Sequence, residues 1–417
     1  MWVMPEYKIN GVSTYDTRFK LPPGAGTDSI HATSEYCLAV TLLSTQNGPQ
    51  GSGFVLTLGE GNQLVCKAIE LLAEPLVGMS IESLMSDFGR FSRKIADHPA
   101  LRWLGPHKGV VQLALASITN ACFDLWAKSR GVPLWKLLLD LTPEELVRVL
   151  DLSYVEDILS EQKAVSMLRD KISTRAERAG ILHTGYPGYD TSVGWMDYDD
   201  SKVRELTRMA LDQGFSAFKL KVGSSDESRD LRRAAMLRSL VGDASTIMFD
   251  ANQRWGLRDA LRICRELVAY HPYWIEEPTH PDDIQAHVEL SRAIHPVKIA
   301  AGEHIPNRVL FKNFLQAGAL SFIQVDCTRV AGVSEFLTVS FLARIFDIPV
   351  VPHVGDMGQI HQHLVLFNHI GLGHEAALLE HIPHLRNHFL HPAQVSDGVY
   401  QTPQEPGAST DLKAKGA

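Results

Sequence analysis

The second half of the chain repeats one pattern, in which a short apolar run ends in a polar residue and is followed by a helical segment. Successive polar residues from Lys221 to Glu380 are 23 to 29 positions apart, which is the length of one strand, one helix and two loops. Eight such runs occur, at GYDTS (188–192), AFKLK (217–221), IMFDAN (247–252), YWIEE (273–277), KIAAGE (298–303), FIQVD (322–326), PVVPH (349–353) and ALLEH (377–381). The repeat predicts an α/β fold with a (β/α)8-type barrel over residues 185–385.

Three consecutive runs end in carboxylates, at Asp250, Glu276 and Glu303. The carboxyl ends of all strands in such a barrel meet at one mouth, where these side chains would repel each other and raise each other's pKa. Oxygen ligands with open positions suit Mg²⁺, so we predict a Mg²⁺ site here, although each carboxylate alone could be a solvated acid. Glu277 is expected to face away from Glu276, because successive side chains of a strand point to opposite faces.

Lys219 and Lys221 lie two positions apart in AFKLKVG, and therefore on the same face of one strand. Two ammonium groups beside a divalent cation lower each other's pKa, which a lysine needs if it is to act as a base near neutral pH. The sequence therefore predicts a catalytic base next to the metal. The alternative is a pair of ordinary lysines on an exposed strand.

The sixth and seventh runs end in Asp326 and His353, which are neighbours in the predicted barrel. An Asp bonded to one imidazole nitrogen fixes the tautomer and raises the basicity of the other nitrogen, which gives an acid/base group. Glu380, at the eighth run, completes the ring. Most other histidines nearby are expected at the surface or an interface, and a metal cluster in HQH is disfavoured. These histidines are His361, His363, His369, His374, His381, His384, His388 and His391.

Residues 1–141 follow a different pattern, with the strand-like segments YKINGVSTYDTRF, YCLAVTLLST and GSGFVLTLGEGN before a helical region. Within that region, GVVQLALASITNACFDLWAK is apolar on most sides, which is typical of a buried helix. We therefore predict an N-terminal α+β domain. The charged segment 142–184 is predicted to be a helical connector or an insertion, and the tail 386–417 is predicted to return to the N-terminal domain.

Composition excludes several classes of protein. The formal charge is −8 with a pI near 6.1, and no Lys and Arg cluster is long enough to follow a phosphate backbone. The five cysteines form no CxxC pair, which favours a reducing compartment over a zinc site or a disulfide framework. The first residues do not resemble a signal peptide. We therefore expect a soluble cytoplasmic protein without a nucleic-acid or membrane partner.

The predicted site suits proton abstraction next to a substrate carboxylate. The cation would stabilise the negative charge that develops, while the lysine and the histidine stand on opposite faces of the reacting carbon. Reprotonation of that carbon would make the protein a racemase or an epimerase. Loss of a β-hydroxyl would make it a dehydratase.

The motifs KLKVG, DANQRW, WIEEP, AGEH, QVDCTRVAGV and PHVGD, in this order, resemble the mandelate racemase branch of the enolase superfamily. The outer segments GTDSI (26–30), LRWLGPHKGVVQLA (101–114), HFLHP and GVYQTP look like the L-fuconate dehydratase group and the fungal L-galactonate dehydratases. The resemblance implies a (β/α)8-type barrel with a capping N-terminal domain that the tail completes. It also implies Mg²⁺-dependent dehydration of a six-carbon aldonic acid to its 2-keto-3-deoxy acid, in a homo-oligomer.

When the residue roles of this family are transferred to the matching positions, the resemblance implies that the three carboxylates hold Mg²⁺. It also implies that Lys221 removes the C2 proton. His353, paired with Asp326, would protonate the departing 3-hydroxyl group. Contacts to the substrate or the intermediate would come from Lys219, Asn252, Glu380, Asp28 and Trp103, the last two from the capping domain. Two alternatives stay open: a racemase or epimerase of a 2-hydroxy acid on the same site, and a catalytically silent binding protein.

Overall fold

The computed structural model describes residues 6–354 and 357–413. Gly355 and Asp356, which end the PHVGD motif, lie outside the described residues. So do the outermost residues of the segments 1–141 and 386–417.

The N-terminal domain begins with a three-stranded antiparallel sheet in the order β1 (Ile9–Lys20), β2 (Glu35–Thr45) and β3 (Gly51–Thr57). Helices then cover this sheet. They are α1 (Gly61–Leu72), α2 (Ile81–Met85), α3 (Phe88–Ala96), α4 (Gly109–Ser129) and α5 (Leu134–Asp140), with 3₁₀ turns at Glu74–Leu76 and Pro99–Leu104.

Helix α4 is the centre of this domain and is buried along most of its length. Its approach to β3 is close enough that a Cβ atom on Gly53 would lie 2.2 Å from the Ser117 carbonyl oxygen, so only glycine fits. In the described part of the chain, α4 is the one helix long and apolar enough to cross a membrane. Since 89% of its apolar stretch is buried inside the protein, it has the character of a core helix.

The segment 142–184 contains four short helices, α6 (Pro143–Arg148), α7 (Glu161–Ile172), α8 (Arg175–Arg178) and α9 (Ile181–Thr184). A buried arginine of the barrel, Arg308, ties this segment to the barrel wall. Its guanidinium group contacts Asp151 at 2.6 Å and Glu335 at 2.8 Å. Each charge is thereby paired, as buried charges must be.

Seven parallel strands and one single bridge form the barrel. The strands are β4 (Tyr186–Asp190), β5 (Ala217–Lys221), β6 (Thr246–Asp250), β7 (Trp274–Glu276), β8 (Lys298–Ala301), β9 (Phe322–Ile323) and β10 (Leu379–His381). Each pairs with the next from β4 to β9, and β10 pairs with β4. The strand predicted at 349–353 is reduced to one bridge between Val350 and Ile323, because Pro349 and Pro352 have no N–H group to donate to a ladder.

Helices surround the strands. They are α10 (Asp200–Asp212), α11 (Glu227–Val241), α12 (Leu257–Leu267), α13 (Ile284–Ala293), α14 (Arg308–Ala317), α15 (Val333–Ile345) and α16 (Ile360–Phe367), with a 3₁₀ turn at Val268–Tyr270 and a π turn at Asn368–Leu372. Helix α12 is amphipathic, since its buried residues Ala260, Ile263, Cys264 and Leu267 follow the helical period. The last two helices, α15 and α16, are buried on nearly all sides.

One layer of side chains fills the barrel interior, with one residue from each of seven strand positions. The layer consists of Tyr189, Ala217, Met248, Trp274, Ala300, Phe322 and Val351. Strand side chains alternate, so the residues two positions further on also point inward, at the carboxyl end of the barrel. Lys219, Asp250 and Glu276 occupy these positions and are buried.

The tail packs on both domains. After a 3₁₀ turn at Pro383–His388, β11 (Val395–Ser396) and β12 (Val399–Tyr400) extend the barrel sheet, and β12 pairs with β4. The chain then returns to the N-terminal domain, where the Leu134 amide donates to the Gly407 carbonyl at 2.8 Å. The predicted fold class, a (β/α)8-type barrel with an α+β domain completed by the tail, is confirmed.

A buried carboxylate, Asp124 on α4, fastens this tail. It accepts hydrogen bonds from the amides of Ser52 at 2.8 Å and Ala408 at 2.7 Å, and it pairs with Lys128 at 2.6 Å. Lys128 also contacts Asp411 of the tail at 2.6 Å. One side chain therefore joins the helix, the sheet and the tail.

We expect Asp124→Ala to destabilise the protein by about 3–5 kcal/mol, because it leaves two buried amides without their acceptor and removes one of the two carboxylates that pair with Lys128. The matched control is Asp140→Ala, which removes an exposed pair with Lys136 and should change stability by about 0–1 kcal/mol. Thermal unfolding followed by circular dichroism measures both. Equal shifts of the two unfolding midpoints would contradict this account of the tail.

Candidate active site

A cavity of about 230 Å³ lies at the carboxyl ends of the barrel strands, beneath the N-terminal domain. Both domains line it. Among its lining residues are Asp28, Lys221, Asn252, Glu303, His353 and Glu380, all of which the sequence marked as site residues. The other predicted residues Lys219, Asp250, Glu276 and Asp326 are buried directly behind this lining.

Two lysines and two carboxylates form the floor of the site. Lys221 Nζ lies 2.5 Å from Asp250 Oδ2, and Lys219 Nζ lies 2.6 Å from Glu276 Oε1. The hydrogen-bonded register of β5, β6 and β7 aligns Lys221 with Asp250 and Asp250 with Glu276. The three side chains therefore lie at the same height in the barrel. Burial and the neighbouring charge of Asp250 raise the pKa of Glu276 to about 8, although Lys219 opposes this shift.

Among the protein's own groups the pKa of both lysines is raised, and the lowering expected beside a divalent cation stays a prediction. Burial alone lowers the pKa of Lys221, and Lys219 lowers it further, but the Asp250 carboxylate raises it more, so the pKa lies above its usual value. Burial also lowers the pKa of Lys219, and Glu276 and Glu380 reverse that effect. The reason is that carboxylates around the two lysines outnumber them.

The third carboxylate, Glu303, follows β8 and lines the cavity. Its Oε2 lies 3.4 Å from His353 Nε2 but accepts no hydrogen bond from any described residue. A buried carboxylate oxygen without a donor is costly unless a cation or a ligand satisfies it. Glu303 is therefore free to bind a further group.

Asp326 and His353 form a hydrogen-bonded pair, with 2.9 Å between Oδ2 and Nδ1. Burial lowers the pKa of His353, but Glu303 and Asp326 raise it to about 9, so the imidazolium form is favoured at neutral pH. The pKa of Asp326 lies below its usual range, because His361 and His353 outweigh the effect of burial. The pair can therefore present a proton at Nε2.

Glu380, at the end of β10, connects the eighth strand to this network. Its Oε1 contacts Lys219 Nζ at 2.8 Å and accepts a hydrogen bond from the Thr191 hydroxyl at 2.6 Å. Its Oε2 accepts from the Val354 amide at 2.8 Å. Burial opposes the charged form, but Lys219 and His353 lower the pKa of Glu380 to about 2.

Asn252 and Asp28 face the cavity from opposite domains. Asn252 has a left-handed backbone with φ 45°, and its side-chain oxygen has no hydrogen-bond partner among the described residues. Asp28, in the loop between β1 and β2, contacts His31 at 2.9 Å. Burial opposes ionisation of Asp28, but His31 and Lys221 lower its pKa to about 2. Both side chains can form hydrogen bonds with a ligand.

The structure does not bring Trp103 to this cavity. Trp103 belongs to the 3₁₀ turn Pro99–Leu104, its side chain is 97% exposed, and it is absent from the cavity lining within residues 6–354 and 357–413.

Glu277 faces away from Glu276, as the strand alternation predicted. It contacts His304 Nδ1 at 3.1 Å and accepts a hydrogen bond from Gln253 at 2.6 Å. His304 and Gln253 lower the pKa of Glu277 to about 2 despite its burial. Ligand atoms of Glu277, Glu303 and His304 also lie within 4.8 Å of one another, which makes them a rival metal group.

Several residues of the site escaped the sequence analysis. Trp195 places its ring 5.3 Å from Lys221 Nζ, and Thr191 donates to Glu380. Both belong to TSVGW after β4, in which Gly194 is required because a Cβ atom there would lie 2.3 Å from the Lys219 carbonyl oxygen. The sequence feature that could have identified them is a polar or aromatic residue shortly after a predicted strand end.

Most of the eight later histidines were expected at the surface or an interface, but half of them are buried inside the protein. Four are buried, because they fill the contacts between α16, its neighbours and β10: His361, His363, His374 and His381. His361 is the most informative, since its Nε2 lies 2.8 Å from Asp326 Oδ1.

Mg²⁺ fits the donors at this site. Three carboxylates from consecutive strands supply oxygen ligands, which a small hard cation prefers. The raised pKa of Glu276 and the donor-free Oε2 of Glu303 both indicate excess negative charge, which a cation would neutralise.

The sequence profile of the family "Enolase C-terminal domain-like" matches residues 202–416. The chain belongs to the enolase superfamily. Its barrel and N-terminal domain are those of this superfamily.

Two relatives of this superfamily match almost the whole chain. Mitochondrial enolase superfamily member 1 of Homo sapiens is 39% identical over 97% of this chain and 94% of its own length. L-galactonate dehydratase of Hypocrea jecorina is 39% identical over 98% of this chain and 93% of its own length. The chain is therefore an enolase superfamily enzyme with named sugar-acid dehydratases among its relatives.

Solved structures of the superfamily have the same fold. The crystal structure of human mitochondrial enolase superfamily member 1 matches with a TM-score of 0.95 and 39% identity, over 99% of this chain and 95% of that chain. L-talarate/galactarate dehydratase from Salmonella typhimurium LT2, solved with Mg and L-lyxarohydroxamate, matches with a TM-score of 0.76 and 24% identity, over 98% and 92% of the two chains. At 24% identity, the match to the Salmonella enzyme shows a shared fold and nothing more.

Two groups of side chains could hold the metal, and substitution of the adjacent residues Glu276 and Glu277 distinguishes them. One group contains Glu276, and the other contains Glu277. We expect Glu276→Gln to weaken Mg²⁺ binding by more than about 10-fold, since a ligand matters at least as much as its outer-shell partners. Glu277→Gln is the matched control, because it replaces the next carboxylate on the other face and should retain binding. Isothermal titration calorimetry measures both. The reverse pattern would assign the metal to Glu277, Glu303 and His304.

Proposed function

We propose that this enolase superfamily enzyme is a Mg²⁺-dependent hydro-lyase that converts a six-carbon aldonic acid, such as L-fuconate or L-galactonate, to the 2-keto-3-deoxy acid. The observation that carries the proposal is that Lys221, His353 and the donor-free carboxylate of Glu303 line one cavity. The likeness to a named L-galactonate dehydratase over nearly the full length supports the substrate class.

In this proposal Asp250, Glu276 and Glu303 hold Mg²⁺. When bound, Mg²⁺ supplies positive charge that stabilises the negative charge developing on the substrate carboxylate as C2 loses its proton. Asp250 and Glu276 are held in position because each is the last residue of its strand, and Glu303 follows the end of β8 by two residues.

Lys221 is the proposed base, since its Nζ is the ammonium group that reaches the cavity. It must give up the Asp250 contact and one proton before it can accept the C2 proton of the substrate. Lys219 lies deeper and contacts both Glu276 and Glu380, so we propose that it supplies fixed positive charge near the substrate carboxylate.

His353 is the proposed acid. Asp326 accepts from Nδ1, so Nε2 is the nitrogen directed to Glu303 and the cavity. From Nε2 a proton passes to the 3-hydroxyl group, which leaves as water while the C2 electron pair forms the double bond. The enol so formed then becomes the 2-keto-3-deoxy acid.

The remaining contacts would select the substrate. We propose that Asn252 and Glu380 bind oxygen atoms of the reacting end, and that Asp28 of the capping domain binds a distal hydroxyl group. Trp103 has no part in this proposal, because it is exposed and is not among the described residues that line the cavity. The homo-oligomer and the cytoplasmic location stay predictions.

The assay is a panel of aldonic and aldaric acids with Mg²⁺, scored for 2-keto-3-deoxy product. We expect turnover of at least one aldonic acid, and a loss of about 10²- to 10⁴-fold in Lys221→Ala and in His353→Asn. Exchange of the C2 hydrogen with D₂O should vanish in Lys221→Ala but persist in His353→Asn, which keeps the base. Lys202→Ala, on the exposed side of α10, is the control and should retain full activity.

Two results would contradict the proposal. Exchange at C2 with inverted configuration and no keto acid would make the protein a racemase or epimerase. Neither turnover nor exchange across the panel would favour a catalytically silent binding protein.

A further inference from the structure

Asp326 is held by groups from three parts of the barrel. Its Oδ2 meets His353 Nδ1 at 2.9 Å. Its Oδ1 accepts from the Thr328 amide at 2.7 Å and from the Thr328 hydroxyl at 2.8 Å, and it lies 2.8 Å from His361 Nε2. The carboxylate therefore bridges two imidazole rings.

The contact with His361 has only one consistent polarity. The Asp326 carboxylate already accepts from the Thr328 amide through Oδ1 and carries its charge at neutral pH, so it only accepts hydrogen bonds and His361 Nε2 donates to it. The same nitrogen lies 3.1 Å from the Cys327 amide nitrogen. The Cys327 amide also points at this nitrogen, so the ring can form a hydrogen bond with only one of the two partners, and the charged Asp326 carboxylate at 2.8 Å is the stronger of them.

His361 is placed to fix Asp326 relative to the barrel wall. Thr328 belongs to the same loop as Asp326 and moves with it, whereas His361 is on α16. The His361 ring is itself buried and packs edge-on against Phe336 of α15, with 6.3 Å between ring centroids. A rigid ring on a separate helix can therefore hold the carboxylate in one orientation.

We propose that His361 is a positioning residue that holds the Asp326 carboxylate so that Oδ2 points at His353 Nδ1. His361 is not among the described residues that line the cavity and acts on His353 through Asp326, although its Nε2 also lies 3.3 Å from the Cys327 thiol. The inference rests on the proposed function insofar as His353 is the acid. It adds a third residue to the pair on which proton delivery depends.

Two polar variants of similar size test this role. His361→Gln keeps an N–H donor near the position of Nε2, whereas the shorter amide of His361→Asn ends near the position of Nδ1 and does not reach Asp326. The matched control is His363→Asn, two residues along the same buried helix. His363 accepts a hydrogen bond from the Trp135 amide through Nδ1, which an Asn oxygen can reproduce.

With an aldonic acid from the panel, we expect His361→Asn to lower kcat by about 10- to 100-fold, with KM nearly unchanged, as the loss of one charge-assisted hydrogen bond predicts. His361→Gln should recover most of kcat, and His363→Asn should resemble the wild type. Exchange of the C2 hydrogen should persist in all three. Unchanged kcat in His361→Asn, or equal losses in the Gln and Asn variants, would overturn the proposal.

A second measurement needs no substrate. In protein labelled with ¹⁵N-histidine, the imidazole N–H proton of His353 is assigned by its loss in His353→Asn. Its resonance should shift or broaden in His361→Asn, return in His361→Gln and stay in place in His363→Asn. An unchanged resonance in His361→Asn would overturn the positioning role. If the wild type turns over no sugar acid, the proposed function fails, and this resonance alone decides the role of His361.

Discussion

The buried pairing of two lysines with carboxylates at the barrel mouth is the interaction on which the rest of the structure depends. The Lys219 side chain is 0% exposed and that of Lys221 is 6% exposed, so neither charge is solvated by water. Burial of such charges is tolerated only when every one has a partner. Asp250, Glu276 and Glu380 are these partners, and they in turn exceed the lysines in charge. The carboxylates are therefore left with excess negative charge, which attracts a cation.

The other parts of the fold exclude water from these charged side chains and hold them in position. The strand alternation presents the charged side chains above an apolar layer that fills the barrel interior. Asp28, in the loop between β1 and β2, and Tyr36, at the start of β2, line the cavity, so the N-terminal domain lies over the site. The tail keeps that domain in place through Asp124 and Lys128. Exclusion of water strengthens each electrostatic interaction inside.

The sequence predicted those site residues whose placement follows from the spacing of the strands and from their position at a strand end. Asp250 and Glu276 came from the regular spacing, and the opposite direction of Glu277 came from strand alternation. The missed parts depend on long-range packing. His361 meets Asp326 because α16 packs behind the barrel, and the pKa of Lys221 is raised chiefly because Asp250 lies so close. Trp103 was assigned to the site by resemblance, but the geometry of its turn leaves it exposed.

Anomalous diffraction from crystals grown with Mn²⁺, which accepts the same oxygen ligands as Mg²⁺, tests the central claim most directly. The account predicts one peak between the carboxylates of Asp250, Glu276 and Glu303. The ammonium groups of Lys219 and Lys221 should then lie farther from those oxygens. A peak between Glu277, Glu303 and His304, or no peak at the barrel mouth, would contradict it.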